Sequence, residues 1–150
     1  YNPFSYINDP QAKRGPELTP EETQAATMRT QIASAIANHD MPQAARIYLQ
    51  LKQIDPKQVL SRQAQLDIAT QLASQQLYPQ AAEAYEMFIR TYPKFEQIEQ
   101  IELMLGLIYA RYLQQYSKAR EHLVRALAKL HGDREIEMAK SELSRIEMMT

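Results

Sequence analysis

Three glutamates, Glu96, Glu99 and Glu102, recur three residues apart, a spacing that gathers carboxylates on one side of a helix for a divalent cation or for acid–base work. Against that chemistry, they open a helix, where negative charge meets the N-terminal dipole, and no further ligand stands at a matching spacing. The three histidines, His39, His122 and His131, show no His-Glu-x-x-His or comparable metal spacing. They read as solvated or helix-end side chains: one at an inter-helix turn, one on a helix face, one after a helix end where a charged ring would meet the dipole. With no cysteine in the chain, thiolate chemistry, disulfides and Cys-ligated zinc are excluded. No Gly-rich phosphate loop occurs, and the serines and threonines have no identifiable partner base. The residues therefore predict a chain that is not an enzyme, with no catalytic residue, no metal and no cofactor.

The elements that carry these residues are helical. The 150 residues are 45% hydrophobic and 23% charged, the proportions of one globular domain, with a formal net charge of -1. Such a balance gives no field to draw in nucleic acid, and the mildly basic set Lys118, Arg120, Arg125 and Lys129 is interrupted by Glu121, so no nucleic-acid partner is expected. Apolar runs break well before the roughly 20 residues of a membrane span, so these residues do not insert directly into a bilayer. Only three glycines occur, while Ala, Gln, Leu, Glu, Met and Arg fill the stretches from Thr19 onward, which predicts an all-α fold.

Residues 1–18 differ, with Pro3, Pro10, Pro16 and Gly15 breaking any helical period, and read as an extended arm or linker. Tyr1, Phe4, Tyr6 and Ile7 make it aromatic for a spacer. Either it docks on the repeat surface of its own or a neighbouring molecule, or it connects to a preceding part that carries a membrane anchor. A start at Tyr1 without methionine or a signal-peptide pattern suggests a processed product or an excised piece. At Thr19-Pro20-Glu21-Glu22, Thr19 can cap a helix, with Pro20 at its first position and Glu22 closing a capping box.

From there the sequence repeats. Met41-Pro-Gln-Ala-Ala-Arg-Ile-Tyr48 returns as Tyr78-Pro-Gln-Ala-Ala-Glu-Ala-Tyr85 at a spacing of 37 residues, and Pro56 matches Pro93. Tyr116-Ser-Lys-Ala119 with Leu123 and Ala126 makes a third copy, one residue late and without its closing proline. Amphipathic stretches marked by Ile32 and Ile36, by Ile68 and Leu72, and by Leu105, Ile108, Tyr109 and Tyr112 precede the copies, so each repeat is a helical hairpin. Gly132 is placed as a C-terminal cap, after which Asp133 starts a last helix with Ile136, Ala139, Leu143 and Ile146 on one stripe.

These residues resemble the tetratricopeptide repeat. In the second copy Ile68, Ala69 and Leu72 stand at the helix A positions, Tyr78 in the turn, Ala81 and Tyr85 on helix B and Pro93 at the end; Leu105, Gly106, Tyr109, Ala119 and Ala126 do the same in the third. The first copy matches in its second half, from Asp40 to Pro56, since Gln31 falls where an apolar residue is expected. The resemblance implies a right-handed solenoid of three hairpins over 19–56, 57–93 and 96–131, with a capping helix over 133–148, the repeat domain spanning 19–150. Ala81 to Pro93 is also similar in style to repeats of bacterial cell-envelope and assembly factors, leaving compartment open between cytoplasm and a membrane-tethered place in the envelope.

What the resemblance implies about function is a non-catalytic module that binds a protein or peptide in the groove lined by its A helices. In that register the groove residues are Arg29, Thr30 and Ala33 from the first repeat, Gln63, Leu66, Asp67 and Thr70 from the second, and Gln100, Leu103, Met104 and Leu107 from the third. Met104 is expected on the groove, while Met87 and Met138 read as gap-filling core. The set of basic and amide side chains with which chaperone-binding members clamp a terminal carboxylate is missing, and Asp67 would repel one. The expected partner is held through apolar and amide contacts. Alternatives are a homo-oligomeric assembly scaffold using the arm or repeat faces, and a soluble regulatory part of a larger membrane-associated protein.

Overall fold

A computed structural model describes residues 17–150, and the arm residues Tyr1, Phe4, Tyr6 and Ile7, with the proposal that they dock, lie outside them. The described residues form seven α-helices and no strand: α1 Pro20–Ala37, α2 Met41–Ile54, α3 Arg62–Ser74, α4 Tyr78–Thr91, α5 Ile98–Arg111, α6 Tyr116–Leu127 and α7 Asp133–Met149. They pair as hairpins α1/α2, α3/α4 and α5/α6, each packed on the next through α2/α3 and α4/α5, and α7 covers the last pair by packing on α6 and α5. This is a stack of helical hairpins.

Local chemistry sets the helix ends. The Glu22 N–H donates to the Thr19 hydroxyl at 3.1 Å, and Pro20 follows where a missing N–H costs nothing. Asp40 accepts from the Gln43 N–H at 3.3 Å to start α2. Pro56 and Pro93 force the preceding Asp55 and Tyr92 out of helical geometry, ending α2 and α4. Gly132 corrects its assignment: it caps the N-terminus of α7 at φ -74, while α6 closes earlier, at Ala128.

The turns inside the hairpins share one device. His39, Gln76 and Gln114 have φ of 59°, 63° and 51°, left-handed positions that usually fall to glycine. In the first two turns the bonds are those of a Schellman motif: Asp40 N–H to the Ala35 carbonyl and His39 N–H to Ile36, then Leu77 N–H to Leu72 and Gln76 N–H to Ala73. The third turn holds one residue more, and its Gln115 N–H reaches back to Tyr109. That extra residue is the late start of the third repeat.

Small residues let the hairpins close. Ala69 and Ala81 are fully buried, and a Cβ on Gly106 would stand 2.7 Å from Leu123 and 3.3 Å from the Ala119 carbonyl, so α5 and α6 touch there at backbone distance. Around these contacts lie Tyr48, Leu51, Ile68, Leu72, Phe88, Leu105, Leu123 and Ile146, each worth about 1.5–3 kcal/mol on burial. The outer face of α1 carries Gln24, Thr27, Gln31, Ser34 and Asn38, all exposed and uncharged. Gln31 is thus part of a polar end face, as a terminal repeat requires for solubility.

Candidate functional site

The A helices α1, α3 and α5 place the expected groove residues unevenly. Thr30 and Ala33 are exposed beside Leu60, Ser61 and Ala64 in a depression of about 320 Å³. Arg29 lines it too, but its guanidinium donates to the Val59 carbonyl at 2.6 Å and to Gln58 at 3.1 Å, tying α1 to the loop before α3. On α3, Gln63 donates to Asp67 one turn on at 2.8 Å and Leu66 is half-buried. Thr70 bonds the Tyr85 hydroxyl at 3.0 Å, and with Asp67 it lines a second depression of about 380 Å³. On α5, Gln100 is exposed and Met104 is 44% exposed, but Leu103 and Leu107 keep only 5% and 9% of their surface. These two leucines support the surface and offer a partner almost no area. The apolar part narrows to Met104 with Leu66. Met87 and Met138 are half-buried, Met138 packed against the core and Met87 against the Lys52 ammonium at 2.6 Å.

The polar chemistry the structure assembles is elsewhere. His122, read from the sequence as solvated or at a helix end, is 4% exposed. It lies on the inner stripe of α6 with Ala119, Leu123 and Ala126, so α5 and α4 cover it. Its Nδ1–H donates to Glu102 Oε2 at 2.5 Å and its Nε2–H to Glu86 Oε1 at 2.8 Å. With a carboxylate accepting at each ring nitrogen, both carry protons and the ring is an imidazolium. Burial works against that charge, but the hydrogen bonds the ring donates to Glu102 and Glu86 outweigh it and raise the pKa to about 9. The bond from His122 holds the Glu86 carboxyl below its usual range although burial opposes it. Tyr109 donates to the same Glu86 oxygen at 3.0 Å and stacks on the imidazole at 5.6 Å; burial and the Glu86 charge push its phenol up.

The glutamate triplet is therefore split. Glu96 stands in the turn before α5, Glu99 in its first turn, and Glu102 one turn further in, buried against His122. No group of carboxylates and histidines suited to a metal ion exists among the described residues. The ion cluster floors an open cleft of about 620 Å³ between α4 and α6, with Glu83, Arg90, Lys118, Glu121 and Arg125 around it.

Three further buried polar groups escaped the sequence reading. Gln65, fully buried, accepts from the Leu60 N–H and donates to the Tyr48 hydroxyl and the Ala84 carbonyl, all at 3.0–3.1 Å. Glu142 of α7, 4% exposed, accepts from Arg145 at 2.5 Å and faces Arg111 at 3.5 Å. Arg145 also donates to the Ala110 carbonyl, so this group ties α7 to the end of α5. Although burial opposes it, the bond from Arg145 and the charge of Arg111 hold the Glu142 carboxyl low. Lys52 donates to the Pro56 and Gln58 carbonyls and closes the loop after α2, its pKa lowered by burial against the pull of Glu83. A signal for Gln65 was present: like Glu102 of the histidine cluster, it shares the apolar stripe of its helix, three residues before Ile68 as Glu102 is before Leu105, and the two recur at the repeat spacing.

Paired helices closed by small residues, a polar first helix and a covered last pair define a helical-hairpin repeat protein. Its family is known as well. The family model described as YfiO, outer membrane lipoprotein, matches residues 21–149, and the chain belongs to that family. No curated protein matches the sequence significantly. Among the described residues, no helix is long and apolar enough to cross a membrane.

Proposed function

We propose that the chain is a non-catalytic interaction module held at the outer membrane of a bacterial envelope, binding a segment of a protein partner along the surface of α1, α3 and α5. Membership of a family described as outer membrane lipoprotein is the observation that supports this reading, since a repeat stack tethered there would offer its surface to a protein partner. The side chains on that surface support apolar and amide contacts: Thr30, Ala33, Gln63, Gln100 and Met104 are exposed, and Leu66 is half-buried among them. Arg29, Asp67 and Thr70 are engaged within the protein and hold the surface in shape.

A photo-crosslinking residue placed at Met104, compared with one at the exposed Val124 of α6, tests the reading in cells that make the full chain. The expected outcome is a discrete adduct from Met104 that a Gln63→Arg, Gln100→Arg variant of unchanged helicity fails to form. Adducts from Val124 alone would move the partner to the opposite face, and adducts with a second copy of the chain would make it an oligomeric scaffold.

A further inference from the structure

Helices α4 and α6 belong to different repeats and do not pack on each other along their lengths; each packs on α5. What joins them across the open cleft is Glu86 of α4, reaching His122 of α6, which in turn holds Glu102 of α5. Nothing in the interaction surface described above uses these groups. We propose that Glu86, His122 and Glu102 form a charge-operated clasp between the second and third repeats, closed while the ring is an imidazolium between two carboxylates and released when either sign of charge is lost.

The geometry ties the clasp to charge. Deprotonating the ring turns one N–H into a lone pair aimed at a carboxylate oxygen, a repulsive contact least relieved on the Glu102 side, where both side chains are buried. Protonating Glu86 removes the charge that crosses the cleft. The other charges facing the ring cannot replace these partners. On α4, Glu83 turns to Lys52 at 3.7 Å; Arg90 stands at the cleft wall. On α5, Tyr109 covers one ring face and donates to Glu86; on α6, Lys118 sits over the Tyr109 ring at 5.5 Å, with Glu121 and Arg125 at the rim. On α7, Glu142 and Arg145 are committed to Arg111 and the Ala110 carbonyl. Release would free the outer edge of the third repeat to swing about α5, changing the angle between repeats on which the A-helix surface depends.

Since the chain has no cysteine, Gln80→Cys on α4 and Arg120→Cys on α6, both exposed and outside the clasp, accept a pair of spin labels that report the separation of the two helices without competing sites. The labelled full chain should give one narrow distance distribution at pH 7 and a longer or broader one at pH 10; Glu86→Gln should bring the broad form on at a pH at least one unit lower, a tenfold loss of proton affinity at His122. Nitrogen NMR of the unlabelled chain should show both His122 ring nitrogens protonated from pH 5 to 8. An unchanged distribution at pH 10, or a His122 ring that is neutral at pH 7, would overturn the proposal even if a variant fails to fold.

Discussion

In the second repeat the buried polar side chain of helix A is Gln65; in the third, 37 residues on in the same register, it is Glu102. Gln65 is neutral and bonds a backbone N–H, a backbone carbonyl and a phenol. Glu102 is bonded by an imidazolium that a second carboxylate also claims. Both link helix A to the B helices around it, but the first does so with dipoles and the second with three charges. The amide joint carries no charge over the range in which the ionic joint titrates, since burial raises the pKa of its one titratable partner, Tyr48. The ionic joint reaches across an open cleft from α6 to α4, and its strength depends on ionisation.

The largest effect separating the two joints is expected from His122→Leu, which leaves Glu86 and Glu102 facing each other without their cation; urea unfolding should show a loss of about 3–5 kcal/mol. Gln65→Leu strands the Leu60 N–H and removes the partner of the Tyr48 hydroxyl, and should cost about 2–3 kcal/mol. If the comparison holds, only the first loss shrinks as the pH is raised. The folded pKa of His122, about 9, lies above the ordinary 6.5, so its stabilising contribution is full below about pH 6.5 and lost as the pH rises through 9. Glu86 is shifted downward, so its contribution is present above the ordinary carboxylate range and lost in acid. The natural chain should therefore melt at its highest temperature between these limits, and Gln65→Leu should keep that profile while His122→Leu flattens its alkaline side.

Smaller effects test the scaffold around the joints. Gly106→Ala pushes a methyl group into Leu123 and should destabilise by about 1–3 kcal/mol, read from the same urea titration. Gln76→Gly relieves a left-handed backbone in the turn of the second repeat and should stabilise by about 0.5–1 kcal/mol, with the matching His39→Gly doing the same in the first. Failure of either glycine to stabilise would mean that the side chain it replaces contributes to the turn.

Much of the fold was legible because its signals are local. Thr19-Pro20 marks a helix start, Pro56 and Pro93 mark helix ends, and the 37-residue return of Pro-Gln-Ala-Ala marks the hairpins; each acts through backbone sterics or capping within a few residues. The candidate surface was legible in part. Met104 and Gln100 are exposed, but neighbours three and four residues along the same helix differ in burial according to which helix lies beyond, and Leu103 and Leu107 went inward. His122 was misplaced for the same reason: a polar residue on a stripe with Ala119 and Leu123 looks like an edge until Glu86 and Glu102, 36 and 20 residues away, are brought to its two nitrogens.

The amino-acid order by itself determined the helices, their ends apart from that of α6, their pairing and the small residues at which they close, since propensity, capping and period act over one or two turns. Only the tertiary structure decided which polar groups are buried together and therefore charged: the Glu86–His122–Glu102 cluster, the Gln65 joint and the Glu142 tie of the last helix. Desolvation and hydrogen bonding depend on every element that surrounds a side chain, and those elements come from separate repeats.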